Sequence, residues 1–155
     1  MENLIKLYTS YTGAEPANVE KIAGAGSNRE YYRFTDDKGK TIIGVVGTSR
    51  DENHAFIYLS KHFAGLKLPV PKVVAVDADE LRYLQTDLGE TSLYDALKDG
   101  RNAGGRYTQN EKLLLKKTIR ELPAMQMVGA RGLDWTNCYP QPEFDEDSVL
   151  FDLNY

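Results

Sequence analysis

Cysteine and histidine are scarce in this 155-residue chain. The single cysteine, Cys138, excludes an internal disulfide, disfavours a zinc cluster, and is interpreted as a small buried or half-buried side chain. The two histidines, His54 and His62, are expected on or beside a helix. Neither is followed two residues later by an aspartate, so neither begins a His-x-Asp motif.

Long apolar runs and clustered positive charge are missing as well. No stretch reaches the length needed to span a bilayer, and residues 1–5 lack the basic and apolar regions of a signal peptide. The net charge is −4, which argues against a broad nucleic-acid surface. The densest basic cluster falls on a predicted helix and is interpreted as a solvated face: Lys112, Lys116, Lys117 and Arg120. We therefore expect a cytoplasmic protein with neither a nucleic-acid nor a membrane partner.

Hydrophobic residues make up 41% of the chain, enough for one domain with a real core. Segments rich in β-branched and aromatic residues predict five strands, at residues 19–23, 30–35, 41–46, 72–76 and 81–88. Between the third and fourth strands, Phe56, Leu59 and Phe63 lie on one face of a predicted helix that Asp51 could cap. The pattern predicts an α+β fold, a five-stranded antiparallel sheet with this helix crossing it and those three side chains buried against it.

The region after the sheet is predicted to be mainly helical. Residues 92–98 predict a short helix and residues 99–105 a mobile loop. A long helix over 108–128 should begin at a Thr108–Glu111 capping box and kink at Pro123. The remainder carries aromatic side chains without a regular period, as expected of a segment that packs on something else. We divide the chain into a sheet domain, 1–88, and a hinge with the start of a truncated helical lobe, 89–155.

A glycine-rich link, Gly24-Ala25-Gly26-Ser27-Asn28, joins the first two strands. Glycines allow backbone N–H groups to approach an anion closely, and Ser27 and Asn28 add side-chain donors. Kinases cover ATP phosphates with a strand–turn–strand arrangement of this kind. A glycine-rich hairpin that only turns the chain fits the pattern equally well, so both interpretations stay open.

The fifth strand runs into Leu84-Gln85-Thr86-Asp87-Leu88-Gly89. An adenine ring needs a flat apolar slot with a backbone acceptor and a backbone donor, which a strand leaving a sheet can supply. Taken alone, the segment is better interpreted as an edge strand followed by a turn. If it forms one nucleotide cleft with the glycine-rich link, the two segments should lie at the same edge of the sheet.

In their order along the chain, three segments resemble the aminoglycoside phosphotransferase and choline kinase-like superfamily, protein-kinase-like enzymes that phosphorylate small molecules. They are Gly-Ala-Gly-Ser-Asn-Arg-Glu-Tyr-Tyr-Arg-Phe at 24–34, Leu-Pro-Val-Pro-Lys-Val at 68–73 and Leu-Gln-Thr-Asp-Leu-Gly at 84–89. The first of these and the segment 133–145 are most similar to predicted phosphotransferases that include bacterial anomeric kinases of cell-wall amino sugars. The resemblance covers essentially the whole chain and implies the N-terminal lobe of such a kinase.

The resemblance also implies roles by position. Four residues of the glycine-rich link would contact the phosphates of ATP or another nucleotide: Gly24, Gly26, Ser27 and Asn28. Leu84 would lie at the back of the adenine slot, with the Gln85 carbonyl and the Asp87 amide as its hydrogen-bonding pair. The implied cofactor is ATP with Mg²⁺, whose ligands are expected in the second lobe. The implied acceptor is a small hydroxylated molecule such as a sugar or amino sugar.

Two features depart from the family pattern. The third strand has no lysine to pair with Glu52, the only nearby glutamate. Arg29 or Arg33 could substitute for it, although Arg33 is better interpreted as structural. The chain also stops before the catalytic loop and the metal-binding aspartate, so no catalytic or metal-binding residue is assigned and the chain alone is predicted to be inactive.

The preferred interpretation is therefore the nucleotide-binding lobe of an ATP-dependent phosphotransferase. One alternative is a non-catalytic nucleotide-binding or pseudokinase-type module. Another is an α+β interaction domain that binds no nucleotide. The aromatic C-terminal segment predicts an exposed apolar surface, through which the chain could self-associate.

Overall fold

The computed structural model describes residues 1–23, 28–143 and 145–154. Its sheet contains β1 (Asn18–Ile22), β2 (Glu30–Thr35), β3 (Thr41–Val46), β4 (Val73–Val76) and β5 (Arg82–Thr86). The strands lie in the order β1-β2-β3-β5-β4, and every neighbouring pair is antiparallel. The predicted α+β class and all five predicted strands are confirmed, with small differences at the strand ends.

Six α-helices accompany the sheet in the described ranges: α1 (Glu2–Thr12), α2 (Arg50–Gly65), α3 (Leu93–Ala96), α4 (Lys98–Asn102), α5 (Gln109–Pro123) and α6 (Glu146–Leu153). A π-turn over Ala124–Val128 follows α5, and a 3₁₀ turn spans Trp135–Asn137. Among the residues described, no helix combines the length and the apolar character needed to cross a membrane.

Helix α1 covers one face of the sheet. Its fully buried residues Leu4 and Tyr8 pack with Phe34 and Leu84 from the strands, and the Tyr8 and Phe34 rings stack with centroids 4.8 Å apart. A side chain at Gly44 would overlap the Phe34 ring, so the glycine is required for this packing. Apolar residues at helical spacing in residues 4–11 predict α1 as a helix, but the sequence predicts only one helix on the sheet. The structure has one on each face.

Helix α2 packs on the opposite face, but not through the side predicted for it. Asn53, Ile57 and Ser60 are its buried positions toward the sheet, at spacings of four and three residues. The prediction for Phe56 is right in that its ring stacks on Tyr83 with centroids 5.2 Å apart. Leu59, like Phe63, is only half-buried, so that part of the prediction is wrong.

The N-terminus of α2 also differs from the prediction. Ser49, not Asp51, is the N-cap, and its hydroxyl accepts a hydrogen bond from the backbone N–H of Glu52 at 3.3 Å. A cap two residues earlier extends α2 by two residues at its start. The helix thereby brings Glu52 and Asn53 next to the beginning of β2.

The predicted mobile loop at 99–105 is largely helical, because α4 occupies Lys98–Asn102. Gly100 is buried, and its N–H donates to Glu111 Oε1 at 2.8 Å. Glu111 also completes the predicted capping box with Thr108, which is confirmed. One glutamate therefore holds two neighbouring segments by backbone hydrogen bonds, and the loop prediction is wrong.

The chain after α5 is more regular than its sequence indicates. A π-turn follows Pro123, where a kink is predicted, because the proline nitrogen cannot donate to the carbonyl four residues earlier. Helix α6 lies in the stretch predicted to have no regular period. Trp135 is exposed as expected, whereas Phe144 lies outside the described residues. Cys138 is half-buried, as predicted.

The outer side of α2 holds residues 129–137, which we name the docking segment, through three side chains at four-residue spacing. The contacts join His62 Nε2 to the Gly129 carbonyl at 2.8 Å, Tyr58 Oη to the Asp134 N–H at 2.8 Å and His54 Nε2 to Asn137 Oδ1 at 3.1 Å. Both histidines are thus exposed or half-buried helix residues, as predicted. Together with Tyr58 they form a polar stripe that connects the sheet domain to the region that follows it.

His54 should make this connection sensitive to pH. Its Nδ1 lies 3.0 Å from Glu80 Oε2, so acceptors face both ring nitrogens, and the doubly protonated ring satisfies both. The hydrogen bonds to Asn137 and then to Glu80 raise the pKa of His54, while nearby Arg50 opposes the shift. A raised pKa means that the stabilisation is fully present below the unfolded value of about 6.5 and is lost as pH rises through the folded value.

We predict that the docking segment loosens as pH rises above about 6.5, the ordinary pKa of histidine. Trp135, the only tryptophan, lies inside this segment, so its fluorescence emission reports the change directly. The emission of the native protein should change with pH, and His54→Gln should remove that transition. Lys61→Gln, at an exposed position of the same helix, serves as the control and should keep it. An identical pH profile in the native protein and His54→Gln would contradict the prediction.

Candidate functional site

The α2 side of the sheet contains an open cleft of about 640 Å³. Alternation along the strands puts Ile22, Tyr31, Ile43 and Gln85 on this face, and the register pairs Ile22 with Tyr31 and Ile43 with Gln85. Helix α2 covers the part of the face formed with Tyr83, and the neighbouring part stays open. The floor of the cleft is therefore mainly apolar, with polar groups around it.

Arg33 forms one rim of the cleft by binding the segment that leaves β5. Its guanidinium donates to both oxygens of Asp87, at 2.6 and 3.2 Å, to Glu90 at 2.8 Å and to the Gly89 carbonyl at 3.3 Å. The side chain of Asp87 is only 7% exposed. Hydrogen bonding from Arg33 lowers the pKa of Asp87 and keeps its carboxylate charged. Arg33 thus has a structural contact of the kind expected for it.

Gln85 supplies an unsatisfied polar group in the cleft wall. Its side-chain oxygen is buried and has no hydrogen-bond partner among the described residues. A buried acceptor without a partner is costly. Because the oxygen itself is enclosed, a donor from a ligand would meet it only after the Gln85 side chain turns toward the cleft.

The predicted site residues fall in different places. Gly24, Gly26 and Ser27 lie outside the described residues, while Asn28 is exposed just before β2. Gln85 and Asp87 line the cleft. Leu84 is fully buried on the other face, beneath α1, so the structure does not place its side chain at the back of this cleft. Their contacts with a nucleotide stay predictions.

The strands that lead into the two predicted segments end at opposite ends of the sheet, so the expectation of a common edge is wrong for the described residues that flank them. Strand β1 ends at Ile22, opposite Tyr31, whereas β5 ends at Thr86, opposite Ile42 near the other end of the strands. Five residues of strand separate the level of Ala23 from that of Asp87, about 16 Å. Ala23 and Asp87 nevertheless both line the cleft, at its two ends.

Arg29 lies beside the end of the cleft that is formed by Ala23. In the sequence it follows the glycine-rich link. Its Nη2 is 3.0 Å from Glu52 Oε1 and donates to the Glu52 carbonyl at 3.1 Å, and its Nε donates to Asn53 Oδ1 at 3.1 Å. Val45, fully buried, occupies the β3 position that faces α2. From the sequence, Arg29 and Arg33 are possible substitutes for the missing lysine. In the structure, Arg29 is the one that pairs with Glu52.

Tyr83 is a buried polar residue that sequence reasoning did not single out. Its ring is fully buried beside Phe56, its hydroxyl finds no hydrogen-bond partner within the described part of the chain, and burial raises its pKa. The charges of Arg29 and Glu52 also act on this hydroxyl. The only sequence signal was its place in β5, two residues before Gln85.

A scan against protein-family models finds no match to this chain, and a search of curated proteins finds none either. The resemblance to phosphotransferases therefore depends on the three motifs themselves. What the geometry adds is the cleft between the first and the last of them.

We predict that the Arg33–Asp87 pair is a major support of the β5 exit. Asp87→Ala should lower the free energy of unfolding by about 2–3 kcal/mol, because it leaves a largely buried guanidinium with only the exposed Glu90 as a carboxylate partner. The control is Glu2→Ala, which breaks an exposed pair with Lys6 and should cost less than about 1 kcal/mol. Urea unfolding at pH 7 measures both.

The stabilisation by the Arg33–Asp87 pair should depend on pH in the acid range. Because the folded pKa of Asp87 is lowered, its stabilisation is present above the ordinary carboxyl pKa of about 4 and is lost as pH falls through the folded value. The stability difference between the native protein and Asp87→Asn should therefore shrink on acidification below that pH. Equal losses for Asp87→Ala and Glu2→Ala at pH 7 would contradict the assignment.

Proposed function

We propose that this chain is the nucleotide-binding lobe of an ATP-dependent phosphotransferase that acts on a small hydroxylated molecule, such as a sugar or amino sugar. The observation that carries the proposal is the cleft on the α2 side of the sheet, bordered at one end by Ala23 and at the other by Asp87. These ends adjoin the two segments that resemble the phosphate-contacting and adenine-contacting parts of such kinases. The volume of the cleft is within the range of small-molecule sites.

The β5 end of the cleft suits a base. Ile22 and Ile43 offer apolar surface, and Gln85 brings an unsatisfied acceptor toward which an exocyclic amine could donate. The segment after Thr86 leaves the sheet, where its backbone groups are no longer committed to a strand partner on both sides. This end therefore combines an apolar surface with hydrogen-bonding groups, as adenine recognition requires.

The described residues do not supply a magnesium site. No three His, Cys, Asp or Glu side chains in residues 1–23, 28–143 and 145–154 form a group that could hold a metal ion. As the resemblance implies, we assign nucleotide binding to this lobe and the metal and the catalytic base to a second lobe, so that the lobe alone binds without turnover. A kinase of this type uses ATP in the cytoplasm, and we place the protein in that compartment.

We predict weak but localised nucleotide binding by the chain. ATP should shift the amide resonances around Ile22, Tyr31, Ile43 and Gln85 in ¹H–¹⁵N spectra, with a dissociation constant near or above about 1 mM, or about −4 kcal/mol. Affinity is expected to be low because the lobe supplies only one side of the site.

Two tryptophan substitutions test whether the cleft is the site. Ala23→Trp fills the cleft wall and should abolish the ATP-induced shifts. Ala78→Trp, at an exposed position in the turn between β4 and β5, is the matched control and should leave them unchanged. Shifts that are absent from the native protein, or that survive Ala23→Trp, would contradict the proposal.

A second candidate function, an interaction domain, is favoured by the apolar surface of α5 and α6. Large side chains are exposed on both helices: Leu113, Leu114, Ile119 and Leu122 on α5, and Val149, Leu150, Phe151 and Leu153 on α6. Helix α5 is also basic and α6 acidic, so the two surfaces are complementary in charge. Exposed apolar surface of this extent is typical of an interface.

We predict that the chain self-associates through these two helices. Sedimentation velocity should show a concentration-dependent increase in mass, and Ile119→Gln or Leu153→Gln should reduce it, since each removes apolar area from the surface. Leu88→Gln is the control, because Leu88 is equally exposed but lies at the cleft. A monomer at all concentrations would count against the interaction surface without affecting the nucleotide proposal.

A further inference from the structure

We propose that α5 of one chain packs against α6 of a second copy, so that two copies form a two-fold dimer through two reciprocal α5–α6 contacts. This arrangement rests on the second candidate function, the interaction domain. It specifies which surface of one copy meets which surface of the other, and why like surfaces do not pair.

The exposed face of α5 is apolar with a basic border. Leu115, Ile119 and Leu122 follow one another at spacings of four and three residues, so they lie on one face of the helix. Ile119 and Leu122 are 61% and 50% exposed. Lys112 and Lys116, both exposed, each precede an apolar residue of this face by three positions and therefore border it.

The exposed face of α6 is apolar with an acidic border. Val149, Leu150 and Leu153 share one side of this helix, and Leu153 is 76% exposed. Asp147 lies three residues before Leu150 and Asp152 three residues after Val149, so one carboxylate borders each side of the face. The two faces are therefore alike in apolar character and opposite in the charge that surrounds it.

Charge decides which helices can pair. Helix α5 contains four basic and two acidic residues, a balance of +2, whereas α6 contains three acidic residues and no basic one, a balance of −3. Pairing α5 with α5, or α6 with α6, would bring like charges together, which is costly at an interface. No lysine or arginine occurs in residues 134–155 to offset the acids around α6. The unlike pair is the combination that matches in both respects.

The exposure of both faces points to a second copy. Within one chain the apolar side chains of α5 and α6 stay exposed, so neither helix covers the other. Helix α6 has eight residues and is about 12 Å long, too short to bury alone the roughly 800 Å² per partner of a stable interface. A two-fold dimer forms the contact twice, because each copy contributes both helices.

Charge reversal on one helix at a time tests the pairing in the full chain. Lys112→Glu with Lys116→Glu should make α5 repel α6, and Asp147→Lys with Asp152→Lys should make α6 repel α5. We expect each pair of substitutions to weaken self-association at least about tenfold in sedimentation velocity.

A chain that carries all four substitutions provides the decisive comparison. It restores opposite charges with their signs exchanged, so it should regain association to within about threefold of the native chain. Lys38→Glu with Lys40→Glu is the matched control. It changes the net charge as the α5 pair does, at exposed positions between β2 and β3, and should change association less than about twofold.

Salt tests the same pairing without any substitution, which keeps the question open to experiment if a variant does not fold. Raising NaCl from about 0.1 to about 0.5 M should weaken association of the native chain severalfold, because the border charges are screened. Association that is unchanged or tighter in high salt would contradict the pairing of unlike helices.

The outcomes separate this arrangement from the function on which it rests. Self-association that neither single reversal weakens overturns the α5–α6 pairing and leaves the interaction domain standing. A native chain that is monomeric at every concentration overturns both. If that monomer instead sediments with vesicles containing about one quarter phosphatidylserine, the basic face of α5 is a membrane-binding surface. The nucleotide proposal is unaffected by any of these results.

Discussion

The arrangement of α2 on the sheet depends on one buried amide, that of Asn53, at the point where the helix meets the ends of three strands. Its Oδ1 accepts from Arg29 Nε, and its Nδ2 donates to the Glu80 carbonyl at 2.9 Å. A side chain at Gly47 would overlap Asn53, so the glycine allows α2 to approach the end of β3. A buried amide with both groups satisfied fixes a single orientation, because any other would leave a polar group unpaired.

This amide also shows why the sequence predicts the strands better than the packing of α2. Strand composition is a local property, and turns such as Asp36–Gly39 separate the strands clearly. The apolar pattern of α2 favours burial of Leu59 and Phe63, whereas the buried positions include Asn53 and Ser60. Asn53 is suited to burial because of partners 24 and 27 residues away in the chain, which no local pattern reveals.

The segments near the cleft could be predicted from the sequence, but their arrangement around it could not. Neighbouring residues of a strand face opposite sides, so assigning the cleft to Leu84 instead of Gln85 moves the predicted contact to the wrong face. That parity depends on which helix covers which face, and α1 covers Leu84. The separation of the two ends of the cleft likewise follows from strand direction, because β5 and β2 run the same way in the order β1-β2-β3-β5-β4.

Helix α2 links the cleft to the region after the sheet, because its two sides make polar contacts in opposite directions. Glu52 and Asn53 hold Arg29 on the inner side, and His54 begins the stripe that holds the docking segment on the outer side. These three residues are consecutive on one helical turn. The polar contacts of Arg29 and those of the docking segment therefore start from one turn of α2.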